Sequence, residues 1–148
     1  YENIRIGMTA RLDTLQAAVL DAKMDIFDDE LALRQQVVDR YATLFDGIVE
    51  TPRLGNGATS SWAQYTVKLP AGTDRDAVLA IRCDKGVPSA IYYPVPRHRQ
   101  PPYKAFPASG CGLEVTRDLC ERVLALPMHP YLEPAQQQQI ADAMRAAL

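Results

Sequence analysis

Three short segments of this chain concentrate side chains able to bind or react. The stretch Arg5-Ile6-Gly7-Met8-Thr9-Ala10-Arg11-Leu12-Asp13 crowds polar groups in front of an expected helix, where free N–H groups and the helix dipole favour an anion. Ser89-Ala90-Ile91-Tyr92-Tyr93-Pro94-Val95-Pro96 carries two phenols from a strand end into a proline-stiffened loop. Successive strand residues face opposite ways, so at most one of these tyrosines is expected in the core. Leu126-Pro127-Met128-His129-Pro130-Tyr131 reads as a fixed corner.

No catalytic set assembles from local motifs. The sequence has no G-x-S-x-G, no H-E-x-x-H, no Walker loop and no dinucleotide fingerprint. Gly55-Asn56-Gly57 lacks a strand-to-helix context and reads as a plain turn. The two histidines, His98 and His129, read as structural. The four lysines, Lys23, Lys68, Lys85 and Lys104, lie in no apolar signature that would depress a pKa toward nucleophilic use, and read as surface residues. Cys83, Cys111 and Cys120 are odd in number and show no C-x-x-C spacing, so neither a zinc site nor a disulfide framework is expected. They read as buried or idle thiols of a reducing cytoplasm.

The elements that must position these segments follow from length and pattern. A chain of 148 residues is the size of one domain, and 47% hydrophobic with 23% charged residues is the composition of a folded one. The net charge of −2 and scattered Lys and Arg give no nucleic-acid footprint. Apolar runs fall far short of the ~20 residues of a membrane helix. The opening Tyr1-Glu2-Asn3-Ile4-Arg5 has neither a signal-peptide core nor an initiator Met, and reads as the start of a processed or truncated product.

Thr9 is expected to cap a first helix starting near Ala10 or Arg11, with Leu12, Leu15, Val19, Ala22 and Ile26 as its apolar stripe. A second helix follows Asp28 and Asp29, with Leu31, Val38, Tyr41 and Phe45 inward and Gly47 as its stop. Residues 51–61 form a loop. Trp62 to Leu69 alternates as a half-buried strand, with Ala63, Tyr65, Val67 and Leu69 on one face. Thr73 and Asp74 offer caps to a third helix that Gly86 closes. Val87 to Tyr93 reads as a second strand, and the five prolines between Pro94 and Pro107 preclude regular structure there. Thr116 is expected to cap a short helix holding Leu119, Cys120 and Val123. Leu124-Ala125-Leu126 is expected to form a third short strand. A last helix starts at Pro134 and faces Ile140, Met144 and Leu148 inward. The expected class is α+β: a small sheet covered by helices, with no internal repeat or domain-splitting linker.

The same segments, in the same order, resemble the C-terminal part of the DegT/StrS-type sugar aminotransferases, pyridoxal-phosphate enzymes that aminate keto groups on nucleotide-activated sugars. Gly7-Met8-Thr9-Ala10-Arg11-Leu12-Asp13-Thr14-Leu15-Gln16-Ala17-Ala18 is similar to the family's glycine-x-asparagine-x-arginine-leucine-aspartate stretch and its glutamine-alanine-alanine helix. Trp62-Ala63-Gln64-Tyr65, Tyr92-Tyr93-Pro94-Val95-Pro96 with His98 and Gln100-Pro101, and Leu126-Pro127-Met128-His129-Pro130-Tyr131-Leu132 continue the likeness essentially end to end. The branch acting on UDP-2-acetamido-2-deoxy-3-oxo-glucuronate, for bacterial surface polysaccharides including lipopolysaccharide, looks most similar.

The resemblance implies a type I aminotransferase fold, of which residues 1–148 are the small C-terminal domain with its leading helix and a short, mostly antiparallel sheet. The large cofactor-binding domain, and with it the Schiff-base lysine, would lie outside this chain, so no catalytic residue is assigned here. It implies pyridoxal 5′-phosphate as cofactor, a UDP-sugar as substrate, glutamate as amino donor, a cytoplasmic homodimer with shared active sites, and no metal. Thr9 stands where the family's asparagine contacts the cofactor phosphate. Arg11 keeps the family arginine, whose planar fork suits a carboxylate or phosphate. Tyr92 and Tyr93 stand where a histidine-tyrosine pair lines the sugar pocket, and Arg97 replaces a usual leucine. Two other functions stay open: a sugar-dehydratase relative, whose upstream histidine replaces the lysine, and a non-catalytic dimerisation or regulatory module.

Overall fold

The computed structural model describes residues 2–8, 11–108, 110 and 112–148. Its elements are α1 (Thr14–Met24), α2 (Phe27–Leu44), β1 (Tyr65–Lys68), α3 (Arg75–Asp84), α4 (Glu114–Arg122), β2 (Val123–Leu126) and α5 (Pro134–Arg145), with 3₁₀ turns at Arg97–Arg99 and Pro101–Tyr103. The class is α+β.

β1 and β2 pair antiparallel, Tyr65 opposite Leu126 and Val67 opposite Leu124. The alternation foreseen for β1 holds where the strand forms: Tyr65, Val67 and Leu69 are buried, while Thr66 and Lys68 are half-covered. The strand is shorter than its pattern because Trp62 takes a left-handed backbone (φ 48°) that turns the chain just upstream. Ala63 is consequently exposed rather than in the core. Trp62 is held by its indole N–H to Gln35 Oε1 at 2.9 Å and by Arg34 donating to its carbonyl at 3.0 Å.

The strand expected over Val87 to Tyr93 does not form. Only Ala90 pairs, exchanging hydrogen bonds of 3.2 and 2.8 Å with Ala125 on the free edge of β2. Pro88 and Pro94 remove ladder donors on either side of it, so the segment is pinned at one point rather than along its length. Glu50 makes the matching bridge on the outer edge of β1, with bonds of 3.1 and 2.9 Å to Lys68.

The helices correct three further expectations. α1 begins at Thr14, not near Ala10: Asp13 caps it by accepting from Gln16 N at 2.9 Å, and Thr9 lies outside the described residues. Its apolar stripe is not core; no residue of α1 is buried. α4 begins at Glu114 after a left-handed Leu113 (φ 53°), so Thr116 lies inside the helix and caps nothing, and Val123 belongs to β2. α3 follows its expected cap, Asp74 accepting from Asp76 N and Ala77 N. α5 begins at Pro134, where the missing N–H is harmless.

The core lies between α2, α5 and the inner face of the sheet. Tyr41 stacks obliquely on Tyr65 (4.9 Å) and Phe45 (5.5 Å), and its hydroxyl donates to Pro127 O at 2.8 Å. Gln137, fully buried, clamps α5 to α2 by donating to Val37 O at 2.9 Å and accepting from Arg40 Nε at 2.5 Å. Leu124 is fully buried opposite Val67. Leu124→Ala should cost about 2–5 kcal/mol through lost contacts and an unfilled cavity. That corresponds to a thermal midpoint lower by roughly 5–15 °C; a melt followed by circular dichroism that moves less than 2 °C would contradict this packing.

Candidate functional site

The Ala90–Ala125 bridge sets Tyr92 and Tyr93 at the junction of two clefts. One, of about 370 Å³, runs between Gln64, Ser89, Tyr92 and Met128. The other, of about 450 Å³, is lined by Asn3, Tyr93, Arg97, Gln100, Thr116 and Cys120. The two phenol rings meet edge-on at 5.7 Å and form the partition. Tyr92 is half-buried and Tyr93 is 57% exposed, so neither is a core residue.

The second cleft joins the N-terminal segment to the proline-rich loop. Buried Gln100 accepts from Asn3 N at 3.0 Å, and Arg97 lies 5.2 Å from the centre of the Tyr103 ring. Burial pushes the Cys120 thiol above its ordinary pKa, which holds it protonated. Of the thiols expected to be buried or idle, Cys83 is exposed and Cys120 half-covered, so neither of these two is buried; Cys111 lies outside the described residues.

Arg11 is exposed and lies two residues before the cap of α1, not inside the helix. The carboxylate of Asp13 is occupied with Gln16 N, and no ion pair links Arg11 to an acid among the described residues. Its fork is therefore available to a ligand. The structure does not bring Arg11 into either cleft with Tyr92 and Tyr93.

α1 packs only lightly on α2, and one polar junction tethers it. Lys23 reaches Glu30 Oε1 at 3.2 Å, and Tyr131, from the proline corner, donates to the same oxygen at 2.8 Å. Tyr131 chiefly, then Lys23, holds the Glu30 carboxyl below its ordinary range, and the same bond raises Tyr131.

Arg82 was missed by sequence reading. It is fully buried, yet no carboxylate among the described residues pairs with it: Nε donates to Ser89 Oγ at 2.7 Å and Nη1 to Ile140 O at 3.2 Å. Burial lowers its pKa to about 10. The available signal was spacing, since Arg82 follows buried Val78 by one helical turn.

Lys23 is engaged with Glu30, Lys68 with Glu50 at 2.5 Å, and Lys85 and Lys104 are exposed. None is a desolvated amine of the kind that carries a covalent carbonyl adduct. Among the described residues there is also no cluster of three or more His, Cys, Asp or Glu placed to hold a metal, and no helix long and apolar enough to cross a membrane.

The profile of the DegT/DnrJ/EryC1/StrS aminotransferase family matches residues 1–145. The chain belongs to that family. Among its relatives, the UDP-2-acetamido-2-deoxy-3-oxo-D-glucuronate aminotransferase of Pseudomonas aeruginosa is 40% identical over 91% of this chain and 36% of the relative. The UDP-N-acetyl-3-dehydro-alpha-D-glucosamine 3-aminotransferase of Acidithiobacillus ferrooxidans is 34% identical over 100% of this chain and 39% of the relative. A crystal structure of a DegT/DnrJ/EryC1/StrS aminotransferase from Brucella abortus superposes with a TM-score of 0.85 at 42% identity, over 99% of this chain and 38% of that one. The NtdA protein of Bacillus subtilis, solved with bound cofactor PMP, gives 0.75 at 25% identity over 98% of this chain and 34% of that one. This family member thus spans 36 to 39% of these two curated relatives.

Two measurements test the site as described. Since the folded Glu30 titrates below its unfolded value, its contribution to stability is complete above the unfolded pKa and is lost as pH falls through the folded one. Tyr131→Phe removes the largest cause, so Glu30 should titrate higher by carboxyl-carbon NMR. The stability difference from the parent should be constant near neutral pH and vanish in acid; a difference that persists below the titration of Glu30 refutes the assignment. Separately, the chain mixed with pyridoxal phosphate, freed of excess and reduced with borohydride should carry no stoichiometric pyridoxyl group by mass spectrometry. A full adduct on Lys23, Lys68, Lys85 or Lys104 overturns the lysine reading.

Proposed function

We propose that this chain is the small C-terminal domain, with its leading helix, of a pyridoxal-phosphate aminotransferase acting on a keto-sugar nucleotide. The carrying observation is the family match over residues 1–145 together with a coverage of little more than a third of each relative. Substrates named for the two relatives above share a UDP group, a 3-keto carbon and an acylamino group. A substrate of that class, most simply a 3-keto uronic acid derivative, suits an available arginine.

The residues described here do not hold the cofactor by themselves, since none of the lysines fits. Pyridoxal phosphate, when bound, supplies the electron sink for amino transfer. This chain supplies the rim: Arg11 takes an anionic group, Tyr92 and Tyr93 line the sugar pocket, and Thr9 reaches the cofactor phosphate. Glutamate is the proposed amino donor.

The partner is a second copy of the protein. α1 exposes Leu15 (81%), Val19 (61%) and Met24 (62%) along its flank, and Leu12 (60%), just before its cap, is exposed as well. An 11-residue helix with no buried residue is marginal in water, so a covering surface is needed. A two-fold contact would cover both copies of α1 and carry each Thr9–Arg11 segment toward the neighbouring site.

Arg11→Met in the full-length protein tests the substrate class. A charge-assisted pair is worth about 1.5–3 kcal/mol, so kcat/KM for a keto-uronic acid sugar nucleotide should fall roughly ten- to a hundredfold. The neutral 6-hydroxymethyl analogue should be nearly unaffected. Equal losses on both substrates would mean that Arg11 does not read a carboxylate.

A further inference from the structure

Among the described residues, the cleft beside Tyr92 is built without a charged side chain. Gln64, Ser89 and Tyr92 are its polar contributors, while Ala63, Pro127 and Met128 give it an apolar wall. A phosphate or carboxylate entering it would shed water without meeting a countercharge. A neutral group with one good acceptor and a small apolar end would lose far less.

The donor for such a group is already oriented. Arg82, buried behind the wall, donates through Nε to Ser89 Oγ at 2.7 Å. Ser89 accepts in that bond and donates to no group among the described residues, so its own proton remains to be given away. A hydroxyl that accepts from a cation becomes a stronger donor, because the two bonds polarise each other. The second guanidinium contact, to Ile140 O at 3.2 Å, fixes the arginine against α5. The bridge between Ala90 and Ala125 fixes the backbone beside Ser89. Hydroxyl position is thus set from both sides, which is more than packing at a half-buried serine requires.

We infer that this cleft receives the acylamino substituent of the sugar. Ser89 donates to its carbonyl oxygen, the acyl methyl packs against Met128 and Pro127, and Arg82 is a positioning residue acting through Ser89. The inference rests on the sugar-nucleotide reading above and adds a specificity residue to it.

The experiment uses the full-length enzyme and two keto-sugar nucleotides that differ only in carrying an acetamido or a hydroxyl group on the carbon next to the ketone. Ser89→Ala should lower kcat/KM for the acetamido substrate about tenfold, mainly through KM, and leave the hydroxyl substrate within about twofold. Ser89→Thr should restore the acetamido preference. Arg82→Met should show the same selective loss with its melting temperature near that of the parent, because replacing a buried charge by an apolar side chain of similar volume is often neutral or stabilising. A merely structural role would instead lower both substrates together and follow the melting temperature. As a readout independent of turnover, saturation-transfer NMR on UDP-N-acetylglucosamine should light the acetyl methyl, and Met128→Glu should abolish that signal. Equal loss on both substrates, or an acetyl signal unaffected by Met128→Glu, overturns the inference. A parent enzyme that aminates neither sugar, yet shows the Met128-dependent acetyl signal, would instead sink the aminotransferase reading and leave the cleft assignment standing.

Discussion

The arrangement depends on a buried cation with no anion beside it among the described residues. Arg82 joins α3, the Ser89 segment and α5 through neutral acceptors only, and its Nη2 finds no partner among the described residues. Removing a guanidinium from water costs several kcal/mol, and neutral acceptors return only part of that. The cost is tolerable because the surrounding core is dense in apolar contact: Tyr41, Tyr65, Phe45, Leu69, Leu124 and Met144 are all fully buried. What the cation provides is direction. An apolar residue at position 82 would fill the same space and leave the Ser89 segment anchored to the sheet by the Ala90 bridge alone.

That single bridge explains why the loop carrying both tyrosines is ordered without being a strand. Prolines on either side forbid a longer ladder, so the chain uses one pair of backbone bonds and one charge-assisted side-chain bond in place of a full ladder. The result places Tyr92 and Tyr93 against separate clefts, which a regular strand would achieve only by alternation. Positioning of the candidate site is therefore a matter of a few strong local constraints, not of sheet extent.

Much of the fold was legible because local rules and tertiary packing agree. The alternation at Tyr65, Val67 and Leu69, the Asp74 cap and the Pro134 start all follow from side-chain chemistry within a few residues, whereas the proline-rich segment, expected to be irregular, folds two 3₁₀ turns. The strand over Val87–Tyr93 was misread because β-branched and aromatic content measures suitability for a sheet face, and Pro88 and Pro94 decide whether a ladder forms. Thr116 is an apt cap by type, but the left-handed turn at Gly112 and Leu113 starts α4 earlier. At the site, the segments were legible as motifs; Arg82 was not, since a charge inside a helix is ordinarily read as solvated and its burial depends on α5, more than fifty residues away.

The α1 stripe is the instructive case. Its helical spacing is expected over residues 12–26, but the helix forms only over Thr14–Met24, which leaves Leu12 and Ile26 outside it, and its apolar residues lie in water in the isolated chain. Periodicity shows that a face seeks cover; it does not say what covers it. The Glu30 junction holds α1 at its C-terminal end only, with Lys23 in its last turn and Tyr131 on the corner. Arg11 and the N-terminal end of α1 have no ion pair of this kind among the described residues, and the segment before them is held further upstream by the Asn3 bond to Gln100. A helix fixed at one end and apolar along its flank is suited to delivering the segment before it to another surface. The same geometry leaves Arg11 outside both clefts of its own chain, which is why the proposed site draws its Arg11 from a second copy.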